Sequence, residues 1–141
     1  LIAGTFFAFS SFIMAAFARL PAAHGIAAMQ AINVTVINPL FMAVFAGTAL
    51  AGVALCVLAF LSWGDPRAWK MLAAGVLYVF GVFGLTMVAN VPMNNSLAAA
   101  DPSGAGSADL WARYLEDWTF WNHVRGAASG LASFLLILAA S

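Results

Sequence analysis

Four apolar runs dominate this chain: Leu1–Ala18, Leu40–Leu61, Met71–Val91 and Val124–Ala140. Crossing the ~30 Å hydrocarbon core of a bilayer takes about 20 such residues at ~1.5 Å of rise each. Each run reaches or approaches that length, and none alternates apolar and polar residues as a barrel strand would. Only 7% of the 141 residues are charged, and they stand outside the runs or at their ends, while 65% are hydrophobic. A soluble domain carries about 25% charged residues, so no water-facing surface can be assembled all round this chain. The pattern predicts an all-α integral membrane protein, a four-transmembrane-helix bundle with spans at about 1–18, 40–61, 71–91 and 118–140, forming a single domain over 1–141.

The flanks support those limits. Arg19 and Pro21 end the first run, Asn38-Pro39 opens the second and Pro92 ends the third. Proline is well placed in a first helical turn, where its missing N–H costs nothing, and badly placed in a helix interior. The first run lacks a small-x-small cleavage site, so it is read as a true span that continues upstream of Leu1. Spans two and three are joined by a short loop, Ser62–Lys70, with Trp63 and Trp69 at interface depth. Between spans one and two, Ile26–Ile32 is apolar on one helical face and predicts a short interfacial helix. Residues 92–123 hold a turn-rich stretch from Asp101 to Ser107, then a helical segment in which Arg113 and Asp117 stand at i,i+4. Ala43-xxx-Gly47-xxx-Ala51 and Gly126-xxx-Gly130 are rows of small residues that suit close helix packing.

Several function classes are disfavoured. The formal net charge is zero and there is no basic tract, so no nucleic-acid partner is expected. Cys56 is the only cysteine, which rules out an intrachain disulfide and a cysteine metal cluster. His24 and His123 lie at span ends and show no paired metal-ligand spacing, so neither a metal nor a haem is expected, and no other cofactor is called for. Transport is disfavoured because the span interiors lack charge and the chain has no internal repeat.

What remains polar is one-sided. Every asparagine, both histidines, Gln30 and every charge except Asp65, Arg67 and Lys70 fall at the end where spans one and three finish and spans two and four begin. Asn90-Val91-Pro92-Met93-Asn94-Asn95 closes span three, and its carboxamides can cap helix carbonyls or serve as oriented donors to a ligand oxygen. Trp118-Thr119-Phe120-Trp121-Asn122-His123-Val124-Arg125 opens span four. There Trp118, Asn122 and Arg125, at i, i+4 and i+7, share one face. Arg125 is placed to stack on Trp121 and to pair with Glu116, Asp117 or a bound anion. His123 is the titratable group nearest neutrality beside this cluster and the candidate base. Together Asn33, Asn38, Asn90, Asn94, Trp118, Trp121 and Asn122 are candidate substrate-binding residues, with His123 and Arg125 the catalytic candidates.

Gly25–Asn33, Asn38-Pro39-Leu40-Phe41, Asn90-Val91-Pro92-Met93-Asn94 and Trp118-xx-Trp121-Asn122-His123-Val124-Arg125 resemble, in order, the anthrone oxygenase-like family of small bacterial and fungal membrane proteins. The resemblance implies a membrane-embedded, cofactor-independent oxygenase acting on a hydrophobic aromatic small molecule, anthrone- or quinol-like, in a bacterial inner membrane. In such chemistry a base removes a proton from an acidic ring methylene and the carbanion reacts with dioxygen. The rival reading is a non-catalytic integral subunit or small-ligand binder, either self-associated as a homo-oligomer or docked in a larger membrane complex.

Short loops dense in Lys and Arg stay in the cytoplasm. Arg67 and Lys70 in the Ser62–Lys70 loop therefore predict that this loop and both chain termini are cytoplasmic. In a Cys56→Ser background, Ser62→Cys should be inert to an impermeant maleimide added to intact cells, and react after permeabilisation.

Overall fold

The computed structural model describes residues 1–141 and contains helices and connecting turns, with no strand. Five helices follow one another: α1 Ile2–Phe17, α2 Ala22–Thr35, α3 Pro39–Leu61, α4 Ala68–Ala98 and α5 Ser107–Ala140. Three of them, α3, α4 and α5, are long and apolar enough to cross a membrane, at 23, 31 and 34 residues. Helix α1 is apolar but shorter. The centre of the bundle is a cluster to which α1, α3, α4 and α5 all contribute: Ile2, Phe6, Phe45, Ala49, Tyr78, Val82 and Ala128. Large apolar side chains such as Phe7, Leu50, Val57, Phe80, Val88 and Ile137 point outward. A bundle apolar on both its inner and outer faces is a membrane protein's, since only lipid makes such an exterior favourable.

Helices α4 and α5 run further than hydropathy suggests. Pro92 does not end α4, which continues to Ala98. The residues just before it, Thr86–Asn90, form a π-helical turn, and Pro92 enters as the second residue of the α-helical segment Val91–Ala98. A widened turn gives the proline ring room and relieves the lost hydrogen bond that would otherwise break the helix. Helix α5 begins at Ser107, eleven residues before the expected start at 118, behind a turn in which Asp101 Oδ1 accepts from the Ser103 N–H at 2.9 Å. Gly106 supplies that turn's left-handed residue at φ 84°.

These overhanging ends carry α2. The helix expected between spans one and two lies over them as a roof, and Ile26 and Met29 pack with Leu97, Trp111, Tyr114, Trp118 and Met14. Gln30 fastens it by donating to the carbonyls of Leu97 at 2.8 Å and Ala100 at 3.0 Å, at the end of α4. Asn38 joins α2 to α3: its Oδ1 accepts from the Phe41 N–H at 2.9 Å and its Nδ2 donates to the Thr35 carbonyl at 3.0 Å. At the other end, Asp65 Oδ1 accepts from the backbone N–H and the Nε of Arg67. Those hydrogen bonds hold the Asp65 carboxyl below its ordinary range.

The tightest helix contact is not on the expected small-residue rows. Gly47 and Gly130 face open space, and Arg113 forms no ion pair with Asp117, the Arg67–Asp65 pair being the one the chain makes. Backbones meet instead where Gly75 of α4 crosses Gly52 of α3: a Cβ on Gly75 would stand 2.5 Å from the Gly52 carbonyl oxygen and 2.6 Å from Cys56 Sγ. Because one of those neighbours is backbone, the clash cannot be relieved by a rotamer change. Gly75→Ala should destabilise the detergent-solubilised protein by about 1–3 kcal/mol, seen as a lower Tm, whereas Gly47→Ala should leave Tm within a degree or two.

Candidate functional site

Under the roof, between α2 and the bundle, lies a cavity of about 230 Å³, with lining residues from α1, α2, α3, α4 and α5. Its volume falls just below the ~300 Å³ at which ligand pockets usually begin, so it suits a compact ring system. Most of its wall is apolar, including Phe6 and Phe9 from α1, Met29 and Ile32 from α2, Phe41 and Phe45 from α3. The polar exceptions are Thr5, Asn33, Thr86, Asn94, Asn122 and Arg125, together with the indole of Trp118. No Asp, Glu, His or Cys lines it.

Arg125 dominates the polar side. It sits near the middle of α5 and is 4% exposed, and the chain's single salt bridge, Arg67–Asp65, does not involve it. Neither Glu116 nor Asp117 pairs with it, contrary to the sequence expectation. An Arg at full depth in a bilayer costs ~2.5–3.5 kcal/mol on insertion scales, and less near the interface; here neutral groups offset part of that. One terminal nitrogen donates to Thr86 Oγ1 at 3.1 Å and the other to Asn122 Oδ1 at 2.9 Å. The guanidinium also lies over two rings, 4.4 Å from the centroid of Phe6 and 5.2 Å from that of Trp118. Trp121, the ring expected to stack on it, instead meets Phe120 edge-on at 5.1 Å. Helical side chains lean toward the N-terminus, and Arg125 accordingly reaches Asn122 and Trp118 on its own helix. Its Nε has no partner. A positive charge thus faces the cavity uncancelled.

Asn122 holds this arrangement together. Fully buried, it donates from Nδ2 to the Phe6 carbonyl and to Ser10 Oγ, both at 2.8 Å, while its Oδ1 receives Arg125. Both recipients of its N–H groups are on α1, and Ser10 belongs to the π-helical turn Phe9–Ile13. Thr86 opens the second of two π-helical segments in α4, Val79–Gly84 and Thr86–Asn90. Single π turns leave carbonyls and side chains off the regular helical register, and in both helices the distortion lies at the height of Arg125.

Nearer the roof, Asn94 Oδ1 accepts from the Tyr114 hydroxyl at 2.7 Å and from Trp118 Nε1 at 2.9 Å. Tyr114 and Trp118 stack with ring centroids 6.1 Å apart, and Phe9 tilts against Trp118 at 5.5 Å. Asn33 enters from α2 with a buried Nδ2 that has no partner.

The structure therefore brings Asn33, Asn94, Trp118, Asn122 and Arg125 to one cavity and leaves four sequence candidates outside its wall. Asn38 is spent on the α2–α3 junction. Asn90 is buried beside the site, donating to the Trp118 carbonyl at 3.3 Å with its Oδ1 unpaired. Trp121 and His123 are absent from the lining, and His123 is exposed. One residue after Asn122, it is turned about 100° away from the buried face of α5. Sequence reading missed Phe6, Phe9, Ser10, Thr86 and Tyr114. Ser10 and Thr86 were visible as hydroxyls inside apolar runs, but Thr48 is another and merely bonds its own helix at the Val44 carbonyl.

The family model described as Anthrone oxygenase matches residues 40–135. No curated protein and no solved structure matches the chain. The matched segment contains Thr86, Asn94, Trp118, Asn122 and Arg125, whereas the cavity residues of α1 and α2 precede it.

Asn122→Leu removes the tie between α1 and α5 and frees the Arg125 donor. It should cost about 1–2 kcal/mol of stability, interhelical hydrogen bonds in membrane bundles contributing ~0.6 kcal/mol each on average, and thermal unfolding in detergent would register it. His123→Ala should unfold as the parent does.

Proposed function

The chain belongs to the anthrone oxygenase family, and from that premise we propose that its cavity binds a flat, hydrophobic aromatic ketone and activates the ring carbon for oxygenation. The single observation that carries this reading is Arg125: a buried cation without a carboxylate partner, forming part of a mostly apolar wall. Such a group favours a ligand that brings, or develops, negative charge on oxygen.

For an anthrone-like ligand, loss of a ring methylene proton moves the negative charge onto the carbonyl oxygen as an enolate. Arg125, braced by Asn122 and Thr86, would receive that oxygen, and the low dielectric of the cavity strengthens the attraction. The wall carries no carboxylate or imidazole, so the proton passes to water, and stabilising the enolate is the protein's main contribution. The carbanion carbon then adds dioxygen, the peroxide takes up a proton, and the hydroperoxide loses water to leave a second carbonyl. In sum, CH2 and O2 become C=O and H2O, with dioxygen the oxidant and no metal in the sequence of steps. Phe9 and Trp118 supply flat apolar surfaces for the rings. In this reading α1 joins α3, α4 and α5 in crossing a bacterial inner membrane, as one domain surrounded by lipid that delivers the apolar substrate.

Arg125→Lys keeps the charge but loses the planar fork shared between Thr86 and Asn122. Turnover of anthrone by the purified protein in nanodiscs, followed as quinone absorbance above the uncatalysed rate, should fall at least about tenfold, or ~1.4 kcal/mol. Arg125→Leu should abolish it while leaving insertion intact, and His123→Ala should hold the parental rate within about twofold. Parental turnover in Arg125→Leu would overturn the assignment.

A further inference from the structure

The roof end of the cavity carries a second feature that Arg125 does not explain. Asn94 Oδ1 is fully engaged by two donors, Tyr114 Oη at 2.7 Å and Trp118 Nε1 at 2.9 Å. An indole N–H can only donate, so the amide is fixed with its oxygen toward α5 and its NH2 group turned the other way. That NH2 makes no hydrogen bond in the protein, although Asn94 lines the cavity. Asn33, on the α2 part of the same wall, has a buried Nδ2 that lies near the Tyr114 hydroxyl without making a hydrogen bond to it. An unpaired buried amide donor such as Asn33 Nδ2 costs roughly 1–3 kcal/mol, and with the unbonded NH2 of Asn94 on the same wall it marks a place where an acceptor belongs. Trp118 separates this pair from the cation, with Asn94 on its N–H and the Arg125 guanidinium 5.2 Å from its ring centroid.

We infer that Asn94, with Asn33 beside it, forms a second oxygen-binding subsite, and that the cavity is built for a ring ligand with acceptor oxygens on two opposite edges, as in a para-quinone. The inference rests on the reading of Arg125 given above, which places the first oxygen. With that oxygen on Arg125, the opposite ring edge lies against the Asn94 amide. The edge at which dioxygen adds is then the edge that the amide serves, so Asn94 determines both where the new oxygen sits and how firmly the two-oxygen product is held.

Anthrone and anthraquinone share one ring skeleton and differ by the oxygen on the second edge, which makes them the discriminating probes. Binding of each to the full chain in nanodiscs is measured by equilibrium dialysis. The parent should bind anthraquinone more tightly than anthrone. Asn94→Asp keeps the acceptor for Tyr114 and Trp118 but replaces the free donor, and it should weaken anthraquinone at least tenfold more than it weakens anthrone. Asn94→Leu removes both roles and should show the same selective loss, together with a lower Tm that Asn94→Asp does not share. A merely structural Asn94 predicts otherwise: Asn94→Asp would retain the parental preference for anthraquinone, and that result overturns the subsite while leaving Arg125 untouched. Failure of both ligands to bind the parent would overturn the subsite and the proposed function together.

Discussion

The polar network that ties α1, α4 and α5 together is organised around keeping one guanidinium out of water. Arg125 lies midway along α5 with no carboxylate to neutralise it, so three helices contribute neutral groups instead. Helix α4 contributes Thr86, α1 contributes the Phe6 ring, and α5 contributes Asn122 and the Trp118 ring. Asn122 in turn is oriented by the Phe6 carbonyl and Ser10 of α1. The same contacts hold α1 against α5, so solvation of the charge and assembly of the helices are one network. A carboxylate in place of Asn122 Oδ1 would satisfy Arg125 more fully, and would also cancel the potential that the cavity presents.

The helix distortions belong to the same arrangement. Thr86 and Ser10 both occur in π-helical turns, and a side chain there departs from the direction that regular helical geometry would give it. The widened turn of α4 also admits Pro92, which lets the helix continue to Ala98 and place Asn94 under the roof. Distortion and overhang thus share one local cause, and each delivers a polar group to the cavity.

The sequence made the helices legible because their apolar runs are long, and it made the shared face of Trp118, Asn122 and Arg125 legible because helical spacing is rigid. It did not make the ends of α4 and α5 legible. Hydropathy reports what lipid tolerates, and beyond Val91 and before Trp118 the apolar side chains Leu97, Trp111 and Tyr114 pack against α2. Partners from other helices, Phe6, Ser10 and Thr86, were hidden for a different reason: one-dimensional spacing says nothing about which helices are neighbours. His123 was the opposite case. Its position one residue past Asn122 already turned it off the buried face, and titration chemistry alone made it a candidate.

The seam between α2 and the rest of the cavity divides the site into two parts that can change separately. The cation and its braces stand on segments anchored deep in the bundle, while Met29, Ile32 and Asn33 hang from a helix joined to its neighbours by the short links Ala18–Pro21 and Val36–Asn38. Exchanging residues on α2 would reshape the ceiling against which a ligand's far edge rests without disturbing the charge beneath it. A scaffold of this kind can diversify its ligands while retaining its chemistry, and a limit on that diversification is Gly25, where any side chain would collide with the Trp111 ring and force α2 or the ring to shift.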